Sequence, residues 1–173
     1  MSRTNVEFDT HCVEIVELSR HAQCISQLSL WQHEQWLAGK RNLSEECCRR
    51  DIEGRTAQFE EHLTALPFPV SFIARWGSRP IGSVSLVCYD SDQYANSPES
   101  CWLSNLYVSP EHRRHGLGQS LIERVLSYGR QESLEKIMLF TGGLMPYYLS
   151  RGWAKVSEAC ISGKRRHILA YTL

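Results

Sequence analysis

The chain has 173 residues, 42% of them hydrophobic, enough to bury one sizeable core and too little for two. Nineteen basic against nineteen acidic side chains leave no net charge, so no overall field steers the protein onto nucleic acid or an anionic bilayer, and phosphate recognition must be local. The N-terminal MSRTNVEFDTHC has neither an apolar signal core nor a transit-peptide bias, and no apolar run approaches the roughly 20 residues of a membrane span; a soluble cytoplasmic protein is expected.

CVEIVEL (Cys12 to Leu18) alternates well enough to predict a first strand. Behind the candidate cap Ser19, apolar residues recur at helical spacing through Ala22, Ile25, Leu28 and Trp36. A second helix is expected from Ser44, where Ser-Glu-Glu-Cys approximates a capping segment, through Ile52, Phe59 and Leu63 to Leu66, with Pro67 and Pro69 ending it. VSFIARW (Val70 to Trp76) and IGSVSLVCY (Ile81 to Tyr89) flank the turn Gly77-Ser78-Arg79-Pro80, a hairpin signal. The polar stretch DSDQYANSPES (Asp90 to Ser100) reads as a surface loop leading into a further strand, CWLSNLYVS (Cys101 to Ser109), stopped by Pro110.

From His115 on, Leu117, Leu121, Ile122, Val125 and Leu126 share one helical face that ends near Gly129. KIMLF (Lys136 to Phe140) is a short continuous apolar strand, expected beside CWLSNLYVS in a parallel unit with the helix as crossover. A short helix around Pro146 to Ser150 and two closing strands, WAKVSEACI and RRHILAYTL with a turn at Ser162-Gly163, complete the chain.

The seven cysteines are an odd number without CxxC spacing, which favours reduced, mostly packed thiols over a disulfide framework. His33-Glu34 does not continue to the second histidine of a zinc-protease helix, so no metal site is indicated.

The segment RRHGLGQSL, Arg113 to Leu121, joins the LYVSP strand end to the following helix. Backbone amides at a helix start carry partial positive charge, and a pyrophosphate approaches them closely only where β-carbons are missing, as at Gly116 and Gly118. Arg113 and Arg114 can add charged hydrogen bonds. Taken alone, the pair fits a phosphate site or an ordinary tight turn. A dinucleotide loop would want a third glycine at Leu121 and a P-loop a Gly-Lys-Ser/Thr; neither is present.

Together, LSNLYVSPEHRRHGLGQSL resembles the acyl-CoA binding core of the GNAT superfamily of N-acyltransferases, with Arg113, Gly116 and Gly118 matching its Arg/Gln-x-x-Gly-x-Gly/Ala element. The order of elements from Cys12 onward is also similar. The resemblance implies a single α/β (α+β) domain over 1–173, with a core motif around 101–153. It implies a mixed central sheet of about six to seven strands flanked by about four helices. It further implies acetyl-CoA as acyl donor without a metal. The backbone of Leu106, Tyr107 and Val108 would pair with the pantetheine amides. The loop of Arg113, Arg114, His115, Gly116, Leu117, Gly118, Gln119 and Ser120 would hold the pyrophosphate. A homodimer is frequent in such proteins.

PYYLSRGW, Pro146 to Trp153, is similar to the family's Phe-Tyr-x-x-x-Gly-Phe element and puts Tyr148 on the tyrosine proposed to protonate the departing thiolate. A phenol with pKa near ~10 stays protonated at neutral pH and can donate to a thiolate of pKa near ~8.5. An amine of pKa ~10.4 is neutral in about one molecule per thousand at pH 7, a deficit of roughly 4 kcal/mol, so a base is expected near the acceptor. Trp102 and Ser104 occupy the positions where some members carry that base. Asp90, Asp92 and Glu99 are the other candidates, with Asp90 favoured because it terminates a strand, and such an acidic loop would suit a cationic acceptor. A covalent route through Cys101 lacks an activating histidine at recognisable spacing. The expected reaction is therefore direct acetyl transfer from acetyl-CoA to a primary amine, a small amine rather than a protein. A non-catalytic acyl-CoA-binding module is the alternative. A nucleic-acid site built from Arg113, Arg114, Lys164, Arg165 and Arg166 is disfavoured by the zero net charge.

Overall fold

The computed structural model describes residues 8–37, 43–89, 100–161 and 163–173. Strands β1 (Val13–Glu17), β2 (Val70–Trp76), β3 (Arg79–Tyr89), β4 (Ser100–Val108), β5 (Lys136–Thr141), β6 (Ala154–Ile161) and β7 (Lys164–Thr172) form one sheet in the order β1-β2-β3-β4-β5-β7-β6. All neighbours are antiparallel except β4 and β5, which run parallel. Four α-helices, α1 (Ile25–Trp36), α2 (Glu45–Glu61), α3 (Leu117–Gln131) and α4 (Met145–Leu149), flank it, and α3 is the crossover between the parallel strands.

Alternation on β2 assigns the two layers. Phe72 and Ala74 belong to one buried cluster with Leu117, Leu121, Ile122, Val125 and Leu126 of α3. Ile73 belongs to the other, with Leu28 and Trp31 of α1, Phe59 of α2 and Tyr107 of β4. Ser44 caps α2 as its sequence implies, accepting from the Cys47 amide at 3.2 Å. Asp51 of α2 binds both His33 of α1 (2.9 Å) and Arg55 (2.7 Å), fastening the two helices together.

Several boundaries differ from the expectation. Ser19 caps no long helix: Leu18–Arg20 and Ala22–Cys24 are separate 3₁₀ turns and α1 starts only at Ile25, because the Ser19 hydroxyl reaches back to Glu17 (3.5 Å) instead of forward to a helical amide. Helix α2 stops at Glu61, well before Leu66. Gly77, at φ +61°, tightens the hairpin so that β3 already starts at Arg79.

The cysteines correct a second expectation. Cys88 and Cys101 stand directly opposite across β3 and β4, Cα atoms 4.0 Å apart, and are joined by a disulfide. Strand register brings them together, which spacing in sequence does not reveal. Of the remaining thiols only Cys24 is fully packed, while Cys12, Cys47 and Cys160 are exposed.

The sheet face beneath α1 and α2 is unusually polar. Ser71 of β2 and Ser83 and Ser85 of β3 are all buried, and His62, just past α2, contacts Ser71. Burial pushes the His62 imidazole down to about 4. The unfolded chain therefore takes up this proton near pH 6.5 while the folded chain holds it off until about pH 4, so the contribution is constant above pH 6.5 and is lost as the pH falls. Chemical denaturation between pH 7 and 4 should show wild type losing about 3 kcal/mol more than His62→Gln. Equal slopes for the two proteins would mean that His62 titrates normally. Thiol titration of denatured, unreduced protein should count five thiols per chain against seven cysteines in total. A count of seven would show the Cys88–Cys101 pair open.

Candidate functional site

The site lies where β4 and β5 part. Their parallel pairing is confined to Trp102 opposite Met138, although β4 continues to Val108. Beyond Trp102 the β5 side of β4 is therefore an open backbone edge, and Leu106, Tyr107 and Val108 lie along it. Tyr107 is buried and stacks on Trp31 of α1 at 4.8 Å, while Leu106 and Val108 are half-buried on the α3 face.

A bulge sets this stretch off from the rest of β4. Ser83 faces Tyr107 and Ser85 faces Ser104, so Asn105 and Leu106 share one position opposite Val84. Asn105 takes a left-handed conformation, φ +52°, which asparagine tolerates better than most side chains. Its carbonyl accepts from Gln32 Nε2 and from Ser83 Oγ, both at 3.1 Å, and its amide nitrogen donates to Ser85 Oγ at 3.0 Å. In a planar trans peptide C=O and N–H point in opposite directions. With the Asn105 carbonyl turned toward α1 and β3, the Leu106 N–H is aimed the other way, toward the side that β5 leaves open.

At the far end of that edge comes the glycine turn. Arg114 (φ +65°) and Gly116 (φ +82°) are both left-handed and curl the backbone immediately ahead of α3. Concave turns of this kind gather amide N–H groups, and the α3 N-terminus adds its dipole. No atom lies within 4 Å of where a Gly116 β-carbon would stand, so the turn opens onto free space. Arg114, His115 and Ser120 are exposed, Gly118 and Gln119 half-buried, and Leu117 is anchored in the core. The Arg113 Nε donates to the Val108 carbonyl at 2.8 Å, so this arginine also clips the turn onto β4.

Helix α4 faces the start of α3. The Tyr148 ring is buried against Tyr147 and Trp153, with centroids 5.2 and 5.8 Å away, and its hydroxyl makes no hydrogen bond to a described residue. Burial, with a smaller contribution from Tyr147, raises its pKa above the ordinary phenol value, so it stays protonated at neutral pH. Tyr147, unremarked in the sequence, carries the structural tie: its hydroxyl donates to Gln119 Oε1 at 3.1 Å, and Arg151 covers its ring at 3.8 Å.

On the α1 side, Trp36 Nε1 donates to Gln32 Oε1 at 3.1 Å, joining this tryptophan to the residue that holds the bulge carbonyl. Half-buried Arg166 of β7 lies 6.0 Å from the Trp36 ring and has no ion-pair partner among the described residues. A side chain at Gly142 would collide with its guanidinium. Trp102 is buried beside Phe140, and Ser104 is half-buried; neither can act as a base. The carboxylate candidates Asp90, Asp92 and Glu99 lie outside the described residues. No group of three or more metal-capable side chains occurs among the described residues, and no described helix is long and apolar enough to cross a membrane. A cleft of about 440 Å³ lies between α1, the start of β3 and the end of β4, lined by Gln27, Trp31, Glu34, Arg79, Tyr107 and Ser109 among others.

The fold is shared with solved acetyltransferases. It superposes on Naa50 of Arabidopsis thaliana, solved in complex with the bisubstrate analogue CoA-Ac-MVNAL, with a TM-score of 0.64 at 13% identity, covering 94% of this chain and 99% of that one. A predicted acetyltransferase from Clostridium acetobutylicum, solved with acetyl-CoA, gives 0.67 at 20% identity over 85% and 93% of the two chains. In sequence, human N-acetyltransferase 8 is 29% identical over 75 residues, 41% of this chain and 33% of that protein, so the chain spans about a third of its relative's length. The acetyltransferase (GNAT) family model matches residues 29–148, a stretch that runs from α1 through the open β4 edge and the glycine turn to Tyr148. The chain belongs to the acetyltransferase (GNAT) family.

Proposed function

We propose that the protein transfers the acetyl group of acetyl-CoA to a small primary amine by direct attack. The observation that carries this reading is the continuity of an open β4 edge with a concave, amide-rich turn at one end and, on the helix tied to that turn, a protonated phenol without a hydrogen bond to a described residue. Acetyl-CoA matches these features in turn: pyrophosphate on the amides of residues 113–120, pantetheine amides along Leu106 to Val108, and the thioester by the bulge. The amine nitrogen attacks the thioester carbon, the Leu106 N–H stabilises the negative charge on its oxygen, and the C–S bond breaks as the sulfur takes the Tyr148 proton. The proton lost by the amine passes to a base or to water, with Asp90, Asp92 and Glu99 as the candidate bases.

Arg166 bears on the acceptor. A half-buried guanidinium without an ion-pair partner among the described residues, linked to the bulge through Trp36 and Gln32, favours an amine that carries an anionic group over a polyamine. The expected cytoplasmic setting and homodimer stay part of this reading. A reducing cytosol would open the Cys88–Cys101 disulfide, so the five-thiol count applies to protein isolated without reductant.

Calorimetry should detect acetyl-CoA and CoA binding to the wild type and none to Gly118→Trp, whose indole would fill the turn. Absence of wild-type binding would sink the reading. In a CoA-release assay over an amine panel, Tyr148→Phe should lower kcat about a hundredfold, the lower end of what general acids contribute. Binding without turnover, indifferent to Tyr148, would instead favour a non-catalytic acyl-CoA module. Replacing Arg166 by Gln should raise KM for carboxylate-bearing amines about tenfold and leave carboxylate-free amines unchanged, one charged contact being worth about 1.4 kcal/mol. Equal effects on both classes would remove Arg166 from acceptor recognition.

A further inference from the structure

We propose that His62, Ser71 and Ser85 are positioning residues for acetyl transfer, forming a buried one-way hydrogen-bond chain that locks the Asn105 bulge and so holds the Leu106 N–H toward the thioester. The inference rests on the acetyl-transfer reading above. The chain is continuous: Asn105 Nδ2 to Ser85 Oγ at 3.0 Å, Ser85 Oγ to Ser71 Oγ at 2.6 Å, and Ser71 Oγ to His62 Nδ1 at 2.6 Å.

Its direction follows from elementary donor and acceptor capacity. An amide nitrogen only donates, so Ser85 accepts from Asn105 and must send its own proton on to Ser71. Ser71 in turn sends its proton to His62, which receives it on an unprotonated Nδ1. Run the other way, the Ser85 oxygen would accept from both neighbours and its own proton would have no partner in this chain. A neutral His62 is what burial dictates. The histidine is thus the terminal acceptor of a line that begins at the bulge.

The other end of the line bears the strain. Asn105 sits at φ +52° in a strand, a strained conformation that persists only where the surroundings over-determine it. Gln32 and Ser83 hold its carbonyl; the His62 chain holds its side chain. Removing a hydroxyl from the middle of the line leaves the groups on either side buried without partners. Asn105 is then free to return toward extended geometry, which would swing the next peptide and its N–H off the open edge. His62 itself follows α2 and packs on β2, two strands away from β4, so it touches no substrate and acts only through Ser71, Ser85 and Asn105.

Binding separates this role from simple core support, because CoA lacks the thioester carbonyl that acetyl-CoA offers. Calorimetry with both ligands should show the wild type favouring acetyl-CoA by about fivefold, the size of one net hydrogen bond. Ser85→Ala and His62→Leu should bring that ratio close to one while affinity for CoA stays within about twofold. His62→Gln, whose side-chain carbonyl still accepts from Ser71, should keep the wild-type ratio. A wild-type ratio in Ser85→Ala or in His62→Leu overturns the proposal. So does an equal loss of both ligands, which marks general damage, and so does a wild type that binds both tightly without preference. If Ser85→Ala does not fold, the contrast between His62→Leu and His62→Gln decides. A wild type that binds neither ligand overturns the acetyl-transfer reading itself, an outcome distinct from all the others.

Discussion

The arrangement depends on one event in the sheet, the parting of two parallel strands. Backbone groups within a sheet are normally spent on their neighbours, and a buried strand has none to spare for a ligand. Strands β4 and β5 pair at Trp102 and Met138 and then separate, so half of β4 keeps β3 on one side and leaves the other unpaired. The crossover through α3 then puts a helix N-terminus and its glycine turn at the end of the gap. The same geometry that creates free amides along the edge thus gathers further amide groups at its end, from a single unit of strand, turn and helix.

Keeping that gap open carries a cost elsewhere. A β-bulge with a left-handed asparagine would relax in an ordinary apolar core, and the sheet face beneath α1 and α2 is accordingly not ordinary. Three buried serines, a buried glutamine and a buried histidine stand among Ile73, Leu28 and Phe59. In such a low-dielectric setting a polar network is stabilising only when every member has a partner. Here Gln32 and Ser83 bond the Asn105 carbonyl, Ser85 its side chain, and Ser71 joins Ser85 to His62. The backbone presented on the open side of β4 and the polar packing on the covered side are therefore two aspects of one residue's conformation.

Much of this was legible in the sequence. VSFIARW is a strand to the residue, Ser44 caps the second helix, and the apolar face from Leu117 to Leu126 packs as its spacing implies. Local signals sufficed there because local physics decides them. Where long-range contacts decide, the sequence was silent. Nothing in the spacing of the cysteines announces that Cys88 and Cys101 share a register. Arg113 reads as a free phosphate ligand until its bond to the Val108 carbonyl is seen. Tyr147 and Tyr148 are indistinguishable as letters, yet one is tied to Gln119 and the other has no hydrogen-bond partner among the described residues. One signal was present and passed over: an asparagine in the middle of CWLSNLYVS is a poor strand former, and such residues mark bulges.

The open stretch of β4 is, in effect, an edge placed inside a sheet. Unpaired edges invite strands from other molecules and are a common origin of aggregation, which proteins usually counter with charges, prolines or short outer strands. This one is guarded by shape. The gap narrows to the paired Trp102 and Met138 at one end and meets the Arg113 clip at the other, so an invading strand finds no room to extend its ladder. A thin chain carrying only a couple of amides can still enter. If acetyl-CoA lies along this edge as proposed, the same wedge that turns away a polypeptide strand admits its extended arm.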